Sequence, residues 1–181
     1  MPKELNVIGL YHNILHPDYG KYMDHIEEVV SKNDVVSVES PLSLEDIFFK
    51  ENMDKSPQYR FLYYLCSTLQ DIGAHFNTVE DIKQYGKRAR LMQWYMYEGR
   101  EELEKDHRWQ RANIKASIGL YNLALDNESD FLITGIMHAY DLEQMGYPNI
   151  ELLSDIPESV RENEDEWVSK FGKAYGGGEN E

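Results

Sequence analysis

The chain of 181 residues has a single cysteine, Cys66. One thiol excludes an intramolecular disulfide and a Cys-rich zinc site. Its apolar, helical neighbourhood from Phe61 to Leu69 points to a buried thiol. No apolar run approaches the ~20 residues that a membrane-spanning helix needs. No charged-then-apolar leader is visible at the N-terminus, so a cytoplasmic protein with no membrane span is expected. Basic residues are also scarce, 18 against 33 acidic, for a net charge of −15. No basic stripe is visible along the chain, which argues against nucleic acid and phosphate as ligands. Linkers are lacking too. What is present, 41% apolar and 28% charged residues, is ordinary globular composition. The expectation is one α/β domain over residues 1–156 with a helical insert at 43–126. An acidic C-terminal segment follows at 157–181, its last residues disordered.

Hydrophobic patterning predicts a mainly parallel central sheet of about four to five strands with flanking helices. Leu5–Leu10 and Val35–Glu39 read as buried strands. A helix at Tyr22–Ser31 between them makes a βαβ step. Ser43-Leu44-Glu45-Asp46 has capping-box form and opens a short helix through about Met53. Pro57 starts another, with Phe61, Leu62, Leu65 and Leu69 on one face. Residues 73–77 read as a short strand or extended turn, and Thr78-Val79-Glu80-Asp81 as a second capping box. From Val79 to about Lys105, Ile82, Tyr85, Ala89, Met92, Met96, Gly99 and Leu103 recur at spacings of three and four. That predicts one long helix with a coiled-coil-type stripe. A further helix spans about Arg108–Asp126. Asp130–Thr134 reads as a strand, Ala139–Met145 as a helix and Ile150–Leu153 as a last strand. Trp167, Val168 and Phe171 form an apolar set that suits a docked final helix.

Two Gly-x-x-His segments, Gly9-Leu10-Tyr11-His12 and Gly135-Ile136-Met137-His138, follow strands, and Glu39 ends another. In an open parallel sheet, ligands bind outside the carboxyl ends of the strands. His12, Glu39 and His138 therefore fall on one rim. A single Gly-x-x-His has almost no specificity, but two at corresponding strand ends with a strand-terminal Glu have more. Two imidazoles and a carboxylate suit a divalent metal with open positions. They suit equally a metal-free acid–base set in which Glu39 orients a histidine. Arg108 and Arg111 begin a helix and are candidates for an anion clamp. The aromatic pieces Tyr59–Tyr64 and Gln93–Tyr97 read first as packing residues. Lining a groove, they would suit an extended apolar or peptide ligand.

This order of pieces resembles the TraB/Tiki superfamily, which includes the GumN, pheromone-shutdown and erythromycin-esterase/ChaN-like groups. The resemblance is carried by the paired Gly-x-x-His motifs, Glu39, the insert Asp106-His107-Arg108-Trp109, and Gly135–His138 followed by Leu142 and Gly146-Tyr147. It implies a hydrolase, metalloprotease-like, acting on a peptide or amide bond. His12, Glu39 and His138 would be catalytic and metal-binding, and Arg108 would be the insert arginine, with Arg111 as the other candidate. The implied cofactor is a divalent metal, manganese or cobalt. A lactone-cleaving, metal-free esterase and a non-catalytic protein that captures a peptide or small molecule remain alternatives on the same fold.

Overall fold

Five short runs rich in β-branched residues form the strands. They are β1 (Asn6–Leu10), β2 (Val35–Glu39), β3 (His75–Val79), β4 (Phe131–Gly135) and β5 (Ile150–Leu152). The computed structural model describes residues 3–173. All strands are parallel, in the order β3-β2-β4-β1-β5. The α/β class and parallel sheet expected from the patterning are what is found. β4 lies between β1 and β2, so the first βαβ step joins strands that are parallel but not neighbours. β3 is an edge strand and its exposure alternates accordingly.

Parallel strands need crossovers, and the helices that supply them cover both faces of the sheet. The leftward steps, β1 to β2 to β3, run through α1 (Tyr19–Val29), α2 (Leu44–Phe48) and α3 (Pro57–Ile72). Tyr22, Ile26, Phe61, Leu65 and Leu69 from α1 and α3 meet Ile8, Leu10, Val36 and Val38 of the sheet. The rightward steps run through α4 (Ile82–Tyr97), α5 (His107–Asp126) and α6 (Ile136–Gln144). There Leu120, Ala124, Ala139 and Leu142 meet Val7 and Leu132. Alternate residues of one strand thus serve opposite cores. Cys66 is buried, and burial pushes its thiol up to about 12.

Helix starts follow their cap chemistry. Ser43 Oγ accepts from the Asp46 N–H and Ser56 Oγ from the Tyr59 N–H, with Pro57 in the first turn of α3. The first of these helices is shorter than expected and passes into a 3-10 turn at Lys50–Asp54. The box at residues 78–81 does not form. Thr78 and Val79 belong to β3, and Asp81 caps α4 instead, accepting from the Gln84 N–H.

The long helix expected from Val79 to Lys105 stops at Tyr97. Gly99 and Glu102 both take positive φ there (62° and 68°), and only a 3-10 turn at Leu103–Lys105 follows. Nor does the expected stripe face inward: Ile82 is 68% and Met96 75% exposed. The more covered side of α4 is Gln84, Arg88, Leu91 and Tyr95, again at spacings of four, three and four. Polar contacts select it. Arg88 donates to Asn113 Oδ1 at 3.2 Å and Tyr95 OH to Asp106 Oδ2 at 2.9 Å, both on or just before α5.

The acidic C-terminal segment folds as α7 (Glu158–Trp167) and a π-helical turn at Val168–Gly172. Trp167 packs on Ile114 and Ile118 of α5, with Val168 and Phe171 beside it, as the apolar set suggested. The expected disordered end, Gly176–Glu181, lies outside the described residues. Among the described residues no helix is long and apolar enough to cross a membrane.

Candidate functional site

The parallel sheet brings three sequence-designated residues to one rim. Glu39 is the last residue of β2, and Gly135 ends β4 beside it. Glu39 Oε1 accepts from the Gly135 N–H at 2.8 Å and from Thr134 Oγ1 at 3.1 Å. A Cβ at position 135 would stand 3.2 Å from that same oxygen, so glycine is what lets the carboxylate close on the backbone. The other oxygen, Oε2, lies 3.4 Å from His138 Nε2, in the first turn of α6. His12, two residues beyond β1, borders the same cavity with its ring stacked on Phe61 (centroids 5.3 Å apart).

His138 is held from behind. Its Nδ1 is 2.7 Å from Ser117 Oγ, which lies 3.0 Å from Asp141 Oδ2 and 3.1 Å from the Asn113 carbonyl. A serine hydroxyl has one proton to give. Given to Asn113 or Asp141, it leaves the oxygen to accept from His138 Nδ1–H. Nε2 then carries the lone pair, facing Glu39 and the Arg88 guanidinium, whose Nη1 is 3.4 Å away. Asp141 and Glu164 of α7 extend this chain inward. Asp141 Oδ1 and Glu164 Oε2 are buried with no hydrogen-bond partner among the described residues. Burial and the neighbouring Glu164 push Asp141 well above the usual carboxylate range, and burial also raises Glu164. In both, burial disfavours the charged form.

The electrostatics separate the rim groups. Burial pushes His138 down to about 4, Arg88 and His12 add to this, and Glu39 opposes it. Burial also lowers His12, again against Glu39. For Glu39, burial alone would raise the carboxyl. The two histidines, the Gly135 N–H and Arg88 outweigh it, so Glu39 sits below its ordinary value. Glu80, just beyond β3, is pushed up to about 7 by burial and by Glu39, with Arg88 opposing. Near neutrality the rim holds neutral imidazoles, one firm carboxylate, one poised carboxyl and one guanidinium.

Sequence reasoning missed five of these side chains. Glu80, Arg88, Ser117, Asp141 and Glu164 lie on β3's exit, α4, α5, α6 and α7, and only the tertiary fold gathers them. One signal was available: His138 and Asp141, three apart, are the polar pair on the otherwise apolar face of α6. Arg108, the expected anion stabiliser, is not brought to the rim. It is bound to Asp106 (Nη2 to Oδ2 2.7 Å), lies over Trp94 and borders a different cavity, as does Arg111. Arg88 occupies the rim position in its place. His16 accepts from the Asp18 N–H and stacks on Tyr11 and Tyr22, a structural role.

The donor chemistry for a divalent metal is present. His12 Nε2 is buried without a hydrogen-bond partner among the described residues, and neutral imidazoles beside an ionised carboxylate are what such ions bind. The geometry is less accommodating. Among the described residues no group of three or more His, Cys, Asp or Glu side chains is arranged to hold a metal ion, and the Arg88 cation stands beside His138.

The chain matches no family model, no curated protein and no solved structure, so the TraB/Tiki resemblance rests on its motifs.

Proposed function

We propose that the rim is a hydrolytic site for an ester or amide carbonyl, with His138 as the general base that takes a proton from water. The observation that carries this reading is the fixed, neutral imidazole of His138. Its Nδ1 is tied to Ser117, and its Nε2 is turned to the cavity between Glu39 and Arg88. Glu39, 3.4 Å away, stabilises the imidazolium that forms. Arg88 Nε–H is buried with no partner among the described residues and is the donor available to an oxyanion. Negative charge growing against Arg88 also lifts the restraint it places on His138, so the base strengthens as the proton moves. A neighbouring cavity of about 550 Å³ shares His12, Glu39 and Arg88 with the rim. Tyr59, Leu62, Tyr85, Met92 and Trp109 line it and suit an apolar side chain or acyl group, as a peptide substrate offers.

A panel of aryl esters and short peptides tests the proposal. Turnover that disappears in His138→Ala and in Arg88→Met supports it. Stoichiometric binding without turnover would instead make this a capture protein for a peptide or small molecule.

One observation favours a second, metal-dependent reading, the partnerless His12 Nε2. His12, Glu39 and His138 would hold the ion, which when bound would polarise a carbonyl or acidify water. Measuring bound Mn²⁺, Co²⁺ and Zn²⁺ in the wild type, His12→Ala and His138→Ala decides this. Equal binding by all three proteins would sink the metal-dependent version. Activity that survives chelation would favour the metal-free esterase.

A further inference from the structure

A chain with a net charge of −15 concentrates positive charge in one place. Helices α4 and α5 line an open cavity of about 520 Å³ on the side of α4 facing away from the rim. Lys87 and Arg90 enter it from α4, and Arg108, Arg111 and Lys115 from α5. Five of the chain's 18 basic residues thus line one cavity, and among the described residues no acidic one does. Each helix contributes less than a stripe, so the cluster is invisible along the sequence. It exists because the two helices pack side by side.

Gathering like charges three residues apart on each helix costs stability unless something neutralises them. The protein's own acids do so only in part. Asp106 takes Arg108, and its carboxyl is held far below the usual range by that contact. Arg111 Nε donates to the His107 carbonyl, which carries no full charge. Lys87 and Arg90 have no ion pair or hydrogen bond among the described residues. Gln84, only 6% exposed, also lines the cavity and adds a polar amide to its wall.

We propose that this cavity is a binding site for a small polyanion, a polyphosphate or polycarboxylate molecule. Arginine forks match phosphate and carboxylate oxygens in pairs, and lysine adds a mobile point charge. The indole of Trp94 and the side chains of Leu91 and Ala112 form the apolar part of the wall, against which the body of the anion would rest. The volume falls within the range of small-molecule sites, roughly 300–1,000 Å³. The net charge of −15 repels extended polyanions such as nucleic acid and favours a compact anion. The site shares no lining residue with the two cavities that hold the rim groups, so it stands or falls apart from the proposed hydrolysis.

Isothermal titration of the full chain at low salt with sodium tripolyphosphate, ATP and citrate tests the site. Saturable binding is expected, weakened about tenfold or more in Lys87→Ala/Arg90→Ala. Arg90 is exposed and Lys87 only half-buried, and neither is hydrogen-bonded or ion-paired among the described residues, so the fold is kept. Lys21→Ala, which removes one exposed charge on α1, should bind within about twofold of wild type. His138→Ala should bind as wild type does, which separates this site from the rim. Tighter binding of the phosphates than of citrate assigns a phosphorylated ligand, and the reverse assigns a polycarboxylate. No saturable binding of any of the three anions, or unaltered binding by the double variant, would overturn the proposal.

Discussion

The two Gly-x-x-His segments look alike in sequence and are built for different ends. In the first, Gly9 lies inside β1, and a Cβ there would come within 2.5 Å of Ala139 Cβ and 3.3 Å of Ile136 Cα. The glycine is required by packing, because α6 is seated directly on the strand. In the second, Gly135 ends β4 and makes room for the Glu39 carboxylate. The histidines differ in the same sense. His138 is fixed through Nδ1 by a hydroxyl with acids behind it, whereas His12 is held by stacking on Phe61 and keeps a buried nitrogen without a partner. A four-residue motif therefore specifies where a histidine leaves a strand, and the neighbouring helices decide what that histidine can do.

The largest expected consequence is in turnover. As general base, His138 replaced by alanine should lower kcat by about 10³-fold, and His12→Ala by only about tenfold, since His12 has no such hydrogen-bonded support. Steady-state kinetics on an ester from the panel measures both. Equal losses would erase the asymmetry and move the chemistry toward a shared metal.

The glycines should differ next. Gly9→Ala forces β1 and α6 apart and should cost about 3 kcal/mol in urea denaturation. Gly135→Ala meets only the end of a carboxylate and should cost about 1 kcal/mol, with its main effect on the rim. If Gly135→Ala were the more destabilising, the two motifs would not divide into packing and site roles as argued.

How much of this was legible from residues alone follows from the range of the forces involved. Strand runs and helix faces are local patterns, and β1, β2, β4 and α3 were readable because their apolar residues repeat at the period of the element. Glu39 and His138 were readable because parallel strands must end on a common rim. Arg88 was not. It lies in α4, where the apolar repeat at Ile82, Tyr85, Met92 and Met96 argues for a different inward face. Polar contacts to Asn113 and Asp106, which no periodicity encodes, turn the helix to present it. The basic cavity is hidden for the same reason, since two helices separated by residues 98–106 each hold part of the charge.

The rim's pH response gives a smaller contrast. His138 is lowered from 6.5 to about 4, so the unfolded chain binds this proton first. The stabilisation it brings is full above pH 6.5 and is lost as pH falls toward 4. Glu80 is raised from 4.5 to about 7 and acts in reverse, with stability full below pH 4.5 and lost as pH rises through 7. The two oppose each other, and the wild type should be nearly flat from these groups between pH 4.5 and 6.5. Glu80→Gln removes that opposition, so its stability relative to wild type should fall by about 2 kcal/mol on acidification across that window, the other buried groups titrating alike in both proteins. Denaturation midpoints of both proteins measured at intervals of pH check this. A difference that does not change with pH would mean that Glu80 is not raised.

The smallest effect isolates what supports one histidine and not the other. Ser117→Ala removes the hydroxyl at His138 Nδ1 and should cost about 1 kcal/mol of stability. Its sharper effect is on the proton. With Ser117 present, Nδ1–H has an acceptor and Nε2 keeps the lone pair. Without it, the proton is better placed on Nε2, where Glu39 Oε2 can accept it. Nitrogen-15 chemical shifts of the imidazoles should therefore show His138 changing tautomer while His12, which touches no part of that chain, stays as it was. Turnover should fall with the fraction of His138 that has lost its Nε2 lone pair. An unchanged His138 tautomer would show that Arg88, not Ser117, sets the state of the base.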